Sequence, residues 1–442
     1  MSDSAVDENL DKKLESSTAG WKLKVDTLIV LLISLTPFNL SVVDKTGLDT
    51  GIDNTLDKVV RVAWFLFCIL TVCLLKPRLF RRVFAHPSPL MKLLFCYMII
   101  LTLSLVVNGV GVTGFYRLCE YILLLFALDI VDKTIRLEGR DAAVRVFAGW
   151  VQMAAVAIVI MIAIGLVISP NHFYALETQG RFRLGGNAYS PNFIGMVFAS
   201  GMLSSLYLMG RARTTLKKFL ILMCCLFFGV ALYFTGSRTA QFSVAIAICL
   251  WVLLNFNVMD RALLCAVCMI FVIPLLLLFY EFFVERLLPL IGKGERPLYD
   301  LLTLNNRSVV AEVGLQGALD HWYLGVGFVE GVKEYYRLNF TQSYWLPPHT
   351  HNALIESFLS GGVLSLLLMS VVFYKAVKLI LRNLACRQNS PDIYLAALSL
   401  PLILGCVTMT IFGGVYTVLT FWFFSLALFS WSKNERKDSV YS

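Results

Sequence analysis

The 442-residue chain is 58% hydrophobic and only 15% charged, with a mean hydropathy of +0.74, where soluble domains run at roughly 45–50% and 25%. This excludes a soluble globular protein and describes an all-α integral membrane protein, better divided into spans than into domains. The net charge of +9 does not mark a nucleic-acid surface, because the basic residues gather in short segments between apolar runs, where they orient a chain in the bilayer.

Residues 1–26 are polar and carry Lys12, Lys13, Lys22 and Lys24, as a short cytoplasmic tail would. No cleavable signal pattern precedes Thr27, so the first apolar run should stay in the protein. At about 20 apolar residues per crossing, spans are predicted over 27–43, 59–75, 93–107, 114–131, 146–169, 193–209, 219–234, 239–256, 262–280, 353–374, 393–411 and 416–431. That makes about twelve transmembrane helices, nine within 27–280 and three within 353–431, with a tail over 432–442. One large, mostly helical loop fills 281–352. Lys76, Arg78, Arg81, Arg82 and Lys92 occupy one connection, and Lys133, Arg136, Arg140 and Arg145 the next but one. Arg211, Arg213, Lys217 and Lys218, then Lys375, Lys378, Arg382 and Arg387, continue the pattern. All fall on the side of both termini if twelve spans are right, which places the termini in the cytoplasm and the 281–352 loop outside.

No six-plus-six internal similarity is visible, which argues against a repeat-built transporter. The clearest charges within spans are Glu120 and Asp129. Glu120 lies one turn from Arg117, so pairing near the interface is the expectation rather than an ion pathway. The chain has 11 cysteines, none in the large loop, so no disulfide framework is implied. Cys265 and Cys268 form a C-x-x-C inside a span and are expected to pack as small apolar residues.

The chemistry-bearing residues collect at the outer edge. After the seventh run, Thr235-Gly236-Ser237-Arg238 turns the chain and puts Arg238 in the first turn of a helix. A cation there opposes the helix dipole. The same oddity recurs at Asn305-Asn306-Arg307, where an Asn caps a helix through about Asp320. Each arginine alone could snorkel to lipid headgroups. Two on one side favour a phosphate or pyrophosphate, held jointly by guanidinium forks and helix N-termini. In the loop from Gly180 to Asn192, Arg181 or Arg183 could add a phosphate contact, although turn geometry and headgroup contact explain them as well.

Three of the five histidines lie in the large loop. Pro347-Pro348 followed by a proline-free run predicts a helix beginning at His349 or Thr350. That helix would outrun the hydrocarbon core and carry His351 in an exposed first turn. A helix N-terminus and nearby arginines disfavour imidazolium, which leaves His351 able to accept a proton as a general base. His349 and His351 could instead be interfacial polar residues or two metal ligands. The H-x-H pair stands without a Cys or acidic cluster, so no metal is assigned. Gly361-Gly362 is read as permitting close helix packing.

Thr235-Gly236-Ser237-Arg238, Arg307 with Trp322-Tyr323-Leu324-Gly325-Val326-Gly327, and His351-Asn352 with Gly362 resemble the O-antigen ligase and O-antigen polymerase superfamily. Its members are polytopic glycosyltransferases of the GT-C type with a large periplasmic loop before the third span from the end. The family pattern of His, then Asn, Ser or Gln, nine residues and Gly falls on His351, Asn352 and Gly362. It usually ends in Gly, Thr or Tyr three residues later, where this chain has Ser365. The resemblance implies cofactor-free and metal-independent transfer of a glycan from undecaprenyl diphosphate to an acceptor hydroxyl. In ligases the acceptor is a sugar of the lipid A core; in polymerases it is the end of another lipid-linked repeat. The reading carried forward is an inverting ligase at the periplasmic face of the bacterial inner membrane. Arg238 and Arg307 would hold the diphosphate and His351 would act as base. Arg183, Arg181, His349 and Asn352 are further candidate substrate contacts, and membrane lipids are partners. A polymerase of the same superfamily is the near alternative. A non-enzymatic lipid-linked glycan transporter is the distant one, and it would place its site near mid-membrane.

Overall fold

The computed structural model describes residues 24–35, 53–85, 87–109, 111–176, 182–186, 189–255, 307–340, 347, 349–385, 390–414 and 416–432. Helix α1 covers 24–35. It is followed by α2 (Asp53–Leu75), α3 (Pro77–Ala85), α4 (Pro89–Val107), α5 (Val112–Glu138), α6 (Arg140–Ile168) and the single turn α7 (Pro170–Phe173). A short antiparallel hairpin, β1 (Tyr174–Leu176) and β2 (Phe182–Leu184), pairs Ala175 with Arg183. Then come α8 (Pro191–Arg211), α9 (Thr215–Thr235), α10 (Arg238–Asn255), α11 (Arg307–Asp320), α12 (Glu330–Asn339), α13 (Ala353–Ala385), α14 (Ser390–Thr408) and α15 (Val418–Ser432).

Every span expected from hydropathy meets a helix except 262–280, which lies outside the described residues together with Cys265 and Cys268, while the first is met only over 27–35. Among the described residues seven helices, α4, α6, α8, α9, α10, α13 and α14, are long and apolar enough to cross a membrane, and the bent pair α2–α3 makes an eighth if it is one span. The expected mostly helical loop is described over 307–340, where α11 and α12 lie. Residues 281–306, with Asn305 and Asn306, fall outside the description.

Lipid tails give apolar helices no reason to associate, so small residues and polar contacts hold the bundle together. Gly195 of α8 lies so near α10 that a Cβ would stand 2.9 Å from Ser237 Cβ. Ser204 of α8 and Tyr394 of α14 share a 2.8 Å hydroxyl contact. Arg140 at the start of α6 donates to Asp392 of α14 at 2.7 Å and to the Phe429 carbonyl of α15 at 2.5 Å. Glu120 accepts from Arg117 at 3.0 Å, as expected of residues one turn apart, but the carboxylate is buried inside the bundle.

The element that positions everything near the histidines is α13, and here the structure corrects the sequence reading. The helix does not begin at His349 or Thr350. Asn352 is the cap: its side-chain oxygen accepts from the N–H groups of Leu354 at 3.0 Å and Ile355 at 3.1 Å, satisfying two of the orphan donors of a helix start. Nor is α13 continuous. Gly361 (φ −142°, ψ 16°) and Gly362 (φ 72°, ψ −169°) are not helical, and the backbone of residues 322–326 enters the break. Val326 N–H donates to Leu359 C=O at 2.8 Å, and Val363 N–H donates to Trp322 C=O at 2.8 Å. Helix α4 braces both strands of this junction. Ser104 Oγ donates to Ser360 C=O at 2.7 Å, and Asn108 Nδ2 to Gly325 C=O at 3.2 Å.

Gly362 therefore has two reasons to be glycine: its positive φ, and a Tyr323 carbonyl where a Cβ would go. Replacing Gly362 by Ala should destabilise the protein by at least about 2 kcal/mol through left-handed strain and overlap with backbone. Gly149→Ala, where a Cβ meets nothing within 4 Å, should be neutral or stabilising by up to about 1 kcal/mol. Thermal unfolding of the two purified variants in detergent makes the comparison, and equal midpoints would remove the junction from the account of stability.

Candidate active site

The site assembles where α11 and α13 both start. Gly314 of α11 has no side chain, and this lets the Tyr336 hydroxyl and Thr350 lie against the helix. Tyr336 Oη donates to Val310 C=O at 2.7 Å, tying α12 onto α11. Thr350 is fully buried. Its N–H donates to Glu356 Oε2 at 2.8 Å, and its hydroxyl donates to Asn352 C=O at 2.7 Å. The segment carrying both histidines is thus stitched to the first turns of α13 before the helix begins.

His351 is half-buried and sits at φ 57°, a left-handed conformation that non-glycine residues seldom adopt. This corrects the expectation of an exposed first-turn residue. Its N–H donates to His349 Nδ1 at 3.2 Å. An accepting Nδ1 carries no proton, so neutral His349 holds its proton on Nε2. The two rings meet edge to face with centroids 4.3 Å apart. Burial, then the Arg307 guanidinium and the Lys333 ammonium, push the His349 imidazole down to about 4. Burial, then His349 and Arg307, push His351 down to about 2. Both rings are neutral at physiological pH, as a proton acceptor must be.

Arg307 opens α11, as the sequence predicts. Burial and then the Arg183 guanidinium lower its pKa, which places the two cations within range of each other's charge. Among the described residues no carboxylate pairs with Arg307. Arg183 is fixed from its own side: its Nε donates to Thr235 C=O at 2.7 Å, and its side chain lies over Gly236. Gly236 closes α9 in the left-handed conformation, with φ 58°. Ser237 then accepts from Ala240 N–H at 3.5 Å and donates to Asn192 Oδ1 at 3.0 Å. Arg238 opens α10 directly after this turn, and it is not among the charges that act on Arg307, His349 or His351.

The structure therefore brings Arg307, His349 and His351 within reach of one another's charge, with Arg183 acting on Arg307, and beside His349 it adds Lys333, which the sequence gave no reason to single out. Asn352 is placed beside them, with its side-chain oxygen committed to the cap. Arg181 lies outside the described residues. From sequence Glu356 lies one turn from Asn352 and not from His351, which gives no His-carboxylate dyad; its bond to Thr350 spans six residues and has no local signature. Among the described residues His349 and His351 gain no third His, Cys, Asp or Glu that could complete a metal-ligand group.

Beneath the hairpin runs an apolar cavity of about 410 Å³, with Ile162, Ala163, Leu184, Phe198, Phe227 and Phe234 among its lining residues. Neighbouring strand residues point to opposite faces. Leu184 thus faces this cavity while Arg183 faces the Thr235–Gly236 turn.

The apolar helices make this a multi-pass helical membrane protein, with guanidinium groups, helix N-termini and imidazoles among its polar residues. Residues 219–370 match the model of a family described as O-antigen ligase. The matched stretch includes Arg238, Arg307, His349, His351 and Gly362, whereas Arg183 precedes it. Comparison with curated proteins finds no match.

The two depressed imidazoles have a consequence for stability. Above about pH 6.5 folded and unfolded chains both carry neutral rings, and the shift contributes nothing. As pH falls from there through about 4, the unfolded chain takes up protons that the folded protein refuses, so stability declines. The unfolding midpoint in detergent should drop more steeply over this window in the wild type than in a His349→Asn/His351→Asn double variant. Parallel profiles would mean that the rings are not held neutral by the fold.

Proposed function

We propose that this protein is an O-antigen ligase. It transfers a glycan from undecaprenyl diphosphate to a hydroxyl of the lipid A core at the periplasmic face of the bacterial inner membrane. The observation that carries this reading is the pairing of Arg183 and Arg307 beside two neutral histidines, with Arg238 on the adjoining turn. Two planar guanidinium forks match a diphosphate better than point charges would. The match of residues 219–370 to the O-antigen ligase family supports a lipid-linked glycan donor and a lipid-borne acceptor in general terms.

In the proposed reaction the acceptor hydroxyl loses its proton to His351, and its oxygen forms a bond to the anomeric carbon. The bond from that carbon to the diphosphate oxygen breaks, and its electron pair leaves with undecaprenyl diphosphate, whose growing charge faces Arg307, Arg183 and Arg238. Attack opposite the leaving group inverts the anomeric centre. His349, with its proton on Nε2, can donate to a phosphate oxygen. An imidazole as weakly basic as that of His351 would be a poor base in the empty site. A bound diphosphate offsets the Arg307 field and raises its basicity when it is needed. The polyprenyl chain would lie in the apolar cavity below Leu184, with its diphosphate emerging beside Arg183.

Purified protein reconstituted with polyprenyl-diphosphate glycan and lipid A core should form a new glycosidic bond. A product consisting only of longer glycan on the carrier would indicate a polymerase, and none at all a carrier protein. His351→Asn keeps a residue tolerant of the left-handed backbone and should lose roughly 10²–10⁴ in turnover, the usual worth of a positioned base. Turnover within tenfold of wild type removes His351 from that role. Ala163→Trp, which fills the cavity, should raise KM for a long-chain donor and leave a short-chain donor unaffected. An equal effect on both would place the chain elsewhere.

A further inference from the structure

Trp322 and Tyr323 are 57% and 64% exposed, although their main chain is locked into the α13 break. Their rings stack edge to face, 5.7 Å apart, and the cavity beneath the hairpin does not include them. The hydrogen bond from Val363 N–H to Trp322 C=O fixes their level along α13, beside Gly362. We infer that this aromatic pair is an interfacial anchor, seated in the headgroup boundary of the bilayer, and that the α13 break marks the membrane surface.

Three observations on the same helix support this placement. First, α13 has 33 residues, about 50 Å at 1.5 Å per residue, too long for a hydrocarbon core of roughly 30 Å. The limb from Val363 to Ala385 measures about 34 Å and matches the core, which leaves the limb from Ala353 to Ser360 outside it. Second, the exposed residues just below the break are Leu364, Leu367 and Val371, an apolar face continuous with the aromatic pair. The exposed face of α11 is mixed, with Leu315 and Leu319 beside Glu312, Gln316 and Asp320, and its charged residues are ones hydrocarbon would not accept. Third, Arg382 lies about 29 Å below the break at the far interface, and Lys375 and Lys378, about 18 and 23 Å below it, reach the same interface by snorkelling. Lys375 Nζ stands 4.2 Å from the Trp431 ring. An aromatic belt at one end of a span and a basic, aromatic belt at the other are what the two interfaces select.

The occupant of this surface is the outermost part of the lipid leaflet on the His351 side, not a protein partner. The anchor holds the Ala353–Ser360 limb of α13, and the histidines just before it, at a fixed height above the lipid, because the loop that touches the membrane is the loop inserted into the helix. This inference requires only that the chain spans the bilayer, and its test uses neither donor nor acceptor, so it stands or falls apart from the proposed activity.

The test uses full-length protein in phosphatidylcholine vesicles in which some lipids carry bromine either near the headgroup or near the chain end. The emission of Trp322 is read as the difference between wild type and Trp322→Phe. An interfacial Trp322 should lose about twofold or more of this difference signal to the shallow bromines and clearly less to the deep ones. A signal untouched by either set places the pair in water, and stronger quenching by the deep set places it within the hydrocarbon. Either result overturns the inference. Trp322→Phe keeps the backbone bonds and an aromatic ring, and matching unfolding midpoints for the two proteins verify that the comparison is between equally folded molecules.

Discussion

The exchange of backbone hydrogen bonds between residues 322–326 and the break in α13 is the constraint on which the rest of this structure depends. A helix interrupted in a low-dielectric setting exposes carbonyl and amide groups that must find partners. Leu359 C=O and Val363 N–H find theirs in Val326 and Trp322, and Ser360 C=O finds Ser104. The effect is to join the polar segment between the apolar runs to a transmembrane helix at a defined level. The distance from that joint to His351 is then set by two turns of helix and a capped N-terminus rather than by a flexible loop.

Above the joint, packing serves electrostatics. Burial and the Arg183 charge both disfavour the charged form of Arg307, a cost that an opposite charge would offset. Holding His349 and His351 neutral beside them follows from the same surplus of positive charge. The hydrogen bond from His351 N–H to His349 Nδ1 fixes the tautomer as well as the ring position, and a left-handed residue held against its preference is the kind of local strain that accompanies function. Under the proposed function these features agree with one another, because the diphosphate supplies the anionic group that the cations would hold.

What the sequence made legible was mostly local. The turn at Gly236-Ser237, the helix starts at Arg238 and Arg307, and the apolar runs all follow from capping and hydropathy over a few residues. The break at Gly362 did not, because Gly-Gly within an apolar run reads equally well as a packing surface, and its partner loop begins some forty residues earlier. The start of α13 was misjudged by a few residues for a related reason: proline limits where a helix can begin but does not say which later residue caps it. Hairpin β1–β2 is too short to show alternation, so Arg183 stood among surface arginines until the Thr235 carbonyl gave it a fixed position. The bond from Thr350 to Glu356 is invisible to any periodicity.

Helix α4 carries one consequence for how the chain is divided. Ser104 and Asn108 lie more than a hundred residues before the stretch that matches the family model, yet they supply donors to carbonyls inside it. The homologous segment is thus not a module in the architectural sense, since cutting the chain at its edge would strand two acceptors at the hinge of its central helix. Recognition by sequence and autonomy in folding have different borders here, and grafting the matched portion onto another scaffold would have to carry α4 with it.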